Sequence, residues 1–232
     1  MIVAERKPFD EVYSMIEPFE KVLLVGCGGC VTVCLTGGEQ AVSVLAGELR
    51  LKDRMNGRAR TIVERTITRQ CDAEYVQELI DDVREADVVL SMACGVGVNY
   101  MTEMLGGPVV LPAMNTVFMG ANIAQGQWSE RCAGCGDCML EKTGGICPIA
   151  RCSKSLMNGP CGGTDDGKCE VGCEIDCAWA LIVQRMTDLG RLDELTEVMP
   201  PRDWSTSRDG GPRRMTVEGA LLPADPGSDV SD

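Results

Sequence analysis

The sequence contains no histidine, and aromatic residues make up only 4% of it. Without histidine, the chain cannot use imidazole as a metal ligand, as a proton shuttle or as the base of a Ser/His or Cys/His pair. Any metal site must therefore depend on cysteine thiolates, with carboxylates as the remaining class of side-chain ligand.

Basic residues and long apolar runs are also scarce. The chain has 22 Lys and Arg against 35 Asp and Glu, which gives a net charge of −13. Binding to phosphates needs a basic surface, so nucleic acid is not an expected partner. Apolar runs such as residues 88–90 fall far short of the ~20 residues of a membrane helix. The N-terminal residues lack the apolar region of a signal peptide, and we expect a cytoplasmic protein with reduced cysteines.

Residues 1–127 have the pattern of an α/β domain. Short apolar or β-branched stretches predict strands, and helical periodicities lie between them. One predicted helix follows a capping box from Thr36 to Glu39, and another is capped by Asp72. This alternation predicts a parallel, doubly wound sheet. The predicted strands are 21–26, 60–68, 87–92 and 108–111.

Residues 128–199 read as a second, cysteine-rich domain. Cysteine and glycine dominate residues 132–177 and no periodic apolar pattern is present there, so this segment should depend on metal bonds for its shape. Residues 178–189 predict an amphipathic helix that ends at Gly190. Residues 200–232 predict a mostly disordered, flexible C-terminal tail, or one that becomes ordered on a partner.

The first group of cysteines is Cys132-x2-Cys135-x2-Cys138, followed by Cys147 and a proline. Three cysteines at this spacing let one loop cover three corners of an iron–sulfur cube, and a fourth cysteine before proline is typical of bacterial ferredoxins. Structural zinc usually uses two separate Cys-x2-Cys pairs. We therefore predict a [4Fe–4S] cluster here, with zinc as the alternative. The identity of the fourth ligand stays open, because the stretch before Cys147 is longer than in ferredoxins.

The second group contains five cysteines between residues 152 and 177. The turn at residues 158–163 brings backbone N–H groups near the sulfur of Cys161, a contact that raises a cluster's potential. A second [4Fe–4S] cluster needs four ligands, and Cys173 is our candidate for the spare cysteine. Cys147 and Cys177 could be exchanged between the two clusters, as in two-cluster ferredoxins. The predicted ligands are Cys152, Cys161, Cys169 and Cys177.

The third group comes from the α/β domain. Cys27, Cys71 and Cys94 each follow a predicted strand, and parallel strands end at the same edge of a sheet. This predicts a third site, a [4Fe–4S] cluster or zinc, with Cys30 or Cys34 as the further ligand. One alternative is a set of buried, reduced cysteines that pack as small hydrophobic residues. Another is a thiol–disulfide oxidoreductase that uses Cys27 and Cys30 as a redox pair.

The chain also carries a series of longer motifs. They are Gly-Cys-Gly-Gly-Cys at 26–30, Ala-Cys-Gly-Val-Gly at 93–97, Cys-Ala-Gly-Cys-Gly-Asp-Cys at 132–138, Thr-Gly-Gly-Ile-Cys-Pro-Ile-Ala-Arg-Cys at 143–152, Asn-Gly-Pro-Cys-Gly-Gly at 158–163, Gly-Lys-Cys at 167–169, Asp-Cys-Ala-Trp at 176–179 and Pro-Pro-Arg-Asp-Trp at 200–204. Over about residues 5–204, the chain resembles the methylenetetrahydrofolate reductase C-terminal (MetV-type) family. That family comprises the small iron–sulfur subunits of reductases from acetogens and other anaerobes.

The resemblance implies a function in electron transfer. A protein of this family pairs with a larger TIM-barrel subunit that carries the flavin and binds folate. The chain would pass electrons to or from that flavin for reduction of 5,10-methylene- to 5-methyltetrahydrofolate, and would not be an enzyme alone. Further electron-carrying subunits are compatible with this role. The alternative is a zinc-stabilised subunit that only anchors the flavoprotein.

Overall fold

The computed structural model describes residues 1–217. Contacts between residues divide the chain into two compact units. The first unit comprises Met1–Ala133 and Cys147–Ser155, and the second comprises Gly134–Ile146 and the chain from Leu156 onward.

The strands of the first unit form two sheets, and helices connect most of them. The strands are β1 (Ile2–Arg6), β2 (Lys21–Cys27), β3 (Thr61–Ile67), β4 (Val88–Met92), β5 (Val109–Pro112), β6 (Met114–Ala124) and β7 (Gln127–Cys132). The α-helices are α1 (Phe9–Ile16), α2 (Cys30–Val33), α3 (Glu39–Met55), α4 (Ala73–Val76), α5 (Ile80–Glu85), α6 (Gly95–Leu105) and α7 (Pro148–Arg151).

The parallel sheet has the strand order β3-β2-β4-β5. Successive residues of its central strand β2 pack into different cores. Val22 and Leu24 pack with α1 and α3, whereas Leu23 and Val25 pack with α5 and α6. A parallel sheet covered on both faces needs strands that are apolar throughout, which is why these strands appear as short apolar runs in the sequence. The predicted α/β class and the parallel, doubly wound sheet are confirmed.

Two local predictions differ from the structure. Helix α3 begins after Gly38, which makes no side-chain cap, so the predicted capping box is wrong. The Thr36 hydroxyl donates instead to the Val31 carbonyl, at 3.2 Å. The helix predicted after Asp72 is divided into α4, a 3-10 helix at Gln77–Leu79 and α5, and Asp72 makes no side-chain cap.

An antiparallel sheet of order β1-β6-β7 completes the first unit and was not predicted. The N-terminal strand β1 pairs with β6, with Ile2 opposite Met119. The hairpin partner β7 then places Cys132 opposite Met119 from the other side.

The second unit has little regular structure. Its strands β8 (Thr164–Asp165), β9 (Lys168–Cys169) and β10 (Gly172–Asp176) form a small antiparallel sheet. Helix α8 (Ala178–Asp188) confirms the predicted amphipathic helix, and Gly190 follows it with a φ of +66°. Short 3-10 helices cover Leu140–Thr143, Leu192–Thr196, Trp204–Thr206 and Arg208–Gly210.

The predicted disordered tail is only partly covered by the structure. Residues 204–210 of that tail form the last two 3-10 helices, whereas residues 218–232 lie outside the described residues. Among the helices within residues 1–217, none has the length and apolar character needed to cross a bilayer.

Candidate metal centres

Three cysteines lie at the carboxyl ends of adjacent parallel strands. Cys27 is the last residue of β2, and Cys71 and Cys94 follow β3 and β4. The strand β2 lies between β3 and β4. The chain runs from β2 to β3 on one side and then crosses to β4 on the other side, so the order of the strands reverses at β2. In open α/β sheets, ligands collect outside the strand ends at such a switch point.

The thiols at this edge are electrostatic neighbours. Burial raises the pKa of the Cys71 thiol, and the nearby thiols of Cys27, Cys94 and Cys30 raise it further. This effect shows that the four sulfurs lie near one another. We call Cys27, Cys30, Cys71 and Cys94 the sheet-edge thiols. Within residues 1–217, no group of three or more Cys, Asp or Glu side chains has the arrangement that holds a metal ion.

Cys34 is directed elsewhere. Cys34 is buried, with 4% of the residue exposed, and its thiol donates to the Ile2 carbonyl at 3.5 Å. Burial raises the pKa of the Cys34 thiol, while a hydrogen bond from the backbone at Ala4 opposes that effect. Of the two candidates for the further ligand, Cys30 rather than Cys34 lies with the other sheet-edge thiols.

A buried polar pair beside the sheet-edge thiols was missed in the sequence. The Gln70 side-chain nitrogen donates to the Val25 carbonyl at 2.9 Å, and the Ser91 hydroxyl donates to the Gln70 side-chain oxygen at 2.6 Å. Both side chains are fully buried. Gln70 therefore fixes the start of the loop that carries Cys71 against β2 and β4. The available signal was one amide residue between a predicted strand and a cysteine, which is too weak to indicate this role.

Backbone contacts hold the other two loops of this edge. Cys94 occupies the N-cap position of α6, and the following Gly95 N–H donates to the Thr116 hydroxyl at 2.7 Å. Gly28 donates to the Ile67 carbonyl at 2.8 Å, so the loop between Cys27 and Cys30 lies directly against the end of β3. The N-terminus of α6 also favours negative charge near Cys94.

Three cysteines of the cysteine-rich segment belong to the first unit. Cys132 ends β7, while Cys147 and Cys152 flank α7 on either side. Helix α7 contacts β7. The Cys152 N–H donates to the Pro148 carbonyl at 3.0 Å and closes this short helical turn.

In the second unit, the turn around Cys161 is held from two sides. Asn158 exchanges hydrogen bonds with the backbone of Met199, at 2.9 and 2.8 Å. Gly159 packs on the indole of Trp179 so closely that an added Cβ would lie 2.5 Å from the ring. The Gly163 N–H reaches the Cys161 sulfur at 3.4 Å, which confirms the predicted contact between a backbone amide and this sulfur.

The remaining cysteines of this group lie along the small sheet and the start of α8. Cys169 ends β9, Cys173 lies within β10, and Cys177 is the N-cap residue of α8. The Cys177 N–H donates to the Gly167 carbonyl at 2.8 Å. Cys169 and Cys177 are half-buried and Cys173 is exposed. The choice of Cys173 as the spare cysteine remains a prediction.

A buried arginine faces Cys135. The Arg202 side chain is only 5% exposed, and its guanidinium donates to the Cys135 sulfur at 3.2 Å and to the Asp137 carbonyl oxygen. Its Nε atom is buried and has no hydrogen-bond acceptor among the described residues. This residue was also missed in the sequence, where only its place in a Pro-Pro-Arg-Asp-Trp motif marked it.

The residues present fit a cluster beside Cys135 and Cys138. Cys135 and Cys138 supply thiolates, which are the soft ligands that iron–sulfur clusters take. A cavity of about 290 Å³ borders Cys138, Met157 and Arg202. A buried cation with an unpaired N–H suits an anionic group at this place.

One comparison with known proteins gives a match. Residues 111–205, somewhat under half of the chain, match the family model described as "Methylene-tetrahydrofolate reductase C terminal". Comparisons with curated proteins and with solved structures give no match. The family resemblance is confirmed for this segment, which contains every cysteine from Cys132 to Cys177 and also Arg202. The sheet-edge thiols lie outside the match.

Proposed function

We propose that this chain, which carries a methylenetetrahydrofolate reductase C-terminal segment at residues 111–205, is the iron–sulfur electron-transfer subunit of such a reductase. It would exchange electrons with the flavin of a larger TIM-barrel subunit, which reduces 5,10-methylene- to 5-methyltetrahydrofolate. One observation carries the proposal: the segment that matches a reductase family is also the segment in which the cysteines cluster.

The proposal assigns twelve of the thirteen predicted ligand cysteines to three sets of four. A [4Fe–4S] cluster supplies one-electron oxidation and reduction when it is bound. The first set is Cys132, Cys135, Cys138 and Cys147; the second is Cys152, Cys161, Cys169 and Cys177; the third is the sheet-edge thiols, with Cys34 set aside by its contact with β1.

The residues around these thiols suit the task of binding a negatively charged group. Gly163 aims its N–H at the Cys161 sulfur, and such bonds favour the more negative, reduced state. Cys177 is the N-cap residue of the eleven-residue helix α8, whose N-terminus also favours negative charge. Asn158 and Trp179 hold the Cys161 turn in place, so this sulfur needs little reorganisation to bind iron.

The sheet-edge thiols support a third metal site less directly. They lie at the switch point of a parallel sheet, where a fold of this class binds its ligands. The loops that carry them are fixed by Gln70, Thr116 and the end of β3. This site would hold either a third [4Fe–4S] cluster or zinc.

The test is electron delivery to a partner. The chain is coexpressed with a flavin-carrying methylenetetrahydrofolate reductase subunit, purified without air, and compared as wild type, Cys135→Ser and Cys173→Ser. We expect Cys135→Ser to lose about four iron atoms per chain and to slow flavin reduction, while folate binding by the partner is retained. Cys173→Ser, the matched control, should keep the iron and the rate. Zinc with little iron in the wild type, or an unchanged rate in Cys135→Ser, would contradict the proposal.

A further inference from the structure

The guanidinium of Arg202 is almost entirely buried. The Arg202 side chain is 5% exposed, although Arg is almost never fully buried without a partner. A buried charge is unfavourable unless groups that compensate it lie close by.

Within residues 1–217, the acidic and aromatic side chains around Arg202 offer weak compensation. The Asp137 carboxylate lies 3.9 Å from the guanidinium, but it is 70% exposed and screened by solvent. The Trp204 ring lies 5.3 Å away and contributes a cation–π contact. The Cys135 sulfur accepts from the guanidinium at 3.2 Å, which is closer than the Asp137 carboxylate. The buried Arg202 charge is thus placed directly on the sulfur that we assign as a cluster ligand.

The chain around Arg202 is fastened to the loop that contains Cys135. The Thr206 hydroxyl donates to the Cys135 carbonyl at 3.0 Å, and Arg213 donates to the Thr206 carbonyl at 2.8 Å. A Cβ added to Gly136 would lie 2.1 Å from the Thr206 oxygen, which shows how closely the two segments approach. The chain that follows Arg202 is thus held against the loop that carries Cys135.

We infer that Arg202 is a positioning residue that holds the Cys135 sulfur and, by its charge, raises the reduction potential of the cluster bound there. The inference rests on the proposed function, since it needs a cluster on Cys135. Reduction adds a negative charge to the cluster, and a fixed cation at hydrogen-bond distance stabilises the reduced state more than the oxidised state.

The experiment compares wild type, Arg202→Gln, Arg202→Lys and Arg208→Gln in anaerobically purified protein. Iron and sulfide are counted, and an EPR-monitored redox titration follows the signal that disappears in Cys135→Ser. Arg208 is exposed and lies in the same segment, so Arg208→Gln removes the same charge without touching Cys135. For Arg202→Gln we expect at least a tenfold smaller ratio of reduced to oxidised cluster at a given potential, or about 59 mV for one electron. Arg202→Lys should recover most of this shift, and Arg208→Gln should show none.

The outcomes separate this inference from the proposed function. If Arg202→Gln is loaded with iron and keeps the wild-type potential, the inference is wrong. If Arg202→Gln loses its iron, Arg202→Lys decides: a loaded cluster near the wild-type potential supports the inference, and any other result overturns it. If Cys135→Ser removes no signal and no iron, there is no cluster on Cys135, and the proposed function itself fails.

Discussion

The Ser91 hydroxyl donates a 2.6 Å hydrogen bond to the side-chain oxygen of Gln70, and both residues are completely buried. Because Gln70 also donates to Val25, one side chain joins the central strand β2, the next strand β4 and the loop after β3. These are the three segments that end in sheet-edge thiols. A polar contact inside the core thus sets the spacing of a site that lies outside it.

Replacing Gln70 by Ala should destabilise the first unit and loosen that site. The change removes the acceptor of the buried Ser91 hydroxyl and one donor to the Val25 carbonyl, and leaving such a buried group unsatisfied costs about 1–3 kcal/mol. Urea unfolding should show the loss, and metal analysis should show less metal at the sheet-edge thiols. The control is Gln77→Ala at an exposed position, which we expect to change stability by less than ~0.5 kcal/mol. Equal stabilities of the two variants would refute the role given to Gln70.

A second buried polar contact makes a prediction about stability alone. Arg60 and Asp53 lie 3.5 Å apart with side chains only 1% and 4% exposed, and the Tyr13 hydroxyl donates to Asp53 at 2.8 Å. Asp53→Asn removes the negative charge and leaves Arg60 buried and uncompensated. We expect a loss of about 3–5 kcal/mol in the free energy of unfolding.

The control for that change is the exposed pair of Arg84 and Asp81, whose side chains are 73% and 95% exposed. Asp81→Asn should alter the unfolding midpoint very little, because solvent screens such a pair. A similar loss in both variants would mean that the burial of the Asp53 pair is irrelevant.

Two glycine-to-alanine changes should have opposite signs. At Gly159 a methyl group would lie 2.5 Å from the rigid Trp179 ring, so Gly159→Ala should cost about 1–3 kcal/mol and lower the iron content by shifting the Cys161 turn. At Gly47, inside α3, an added Cβ meets nothing within 4 Å. Gly47→Ala should therefore stabilise the protein by about 0.5–1 kcal/mol. Thermal unfolding and iron analysis of both variants check the pair, and a destabilised Gly47→Ala would contradict the packing described for α3.

The sequence predicts those parts of the fold that leave a local pattern. Strands β2, β4 and β5 are apolar runs because helices cover both faces of their sheet. The hairpin of β6 and β7 leaves no such run, since residues such as Val117 and Ile123 alternate without a buried face. Its pairing with β1 joins residues more than a hundred positions apart, and no local pattern carries that information.

The candidate site divides in the same way. The sequence predicts that Cys27, Cys71 and Cys94 lie close together, because parallel topology places the strand ends at one edge of the sheet. The contact between Arg202 and Cys135 depends on how the chain returns after α8, and nothing in the spacing of positions 135 and 202 signals it. The domain boundaries and the division of ligands among clusters remain predictions.

The central claim is that these cysteines hold iron and sulfide. Its most direct test is analysis of iron, acid-labile sulfide and zinc in protein purified without air, with EPR of the dithionite-reduced sample. We predict about eight to twelve iron atoms per chain with matching sulfide, since two or three clusters hold four each, and the EPR signals of reduced [4Fe–4S] clusters. A colourless protein with zinc, little iron and no EPR signal would contradict the account.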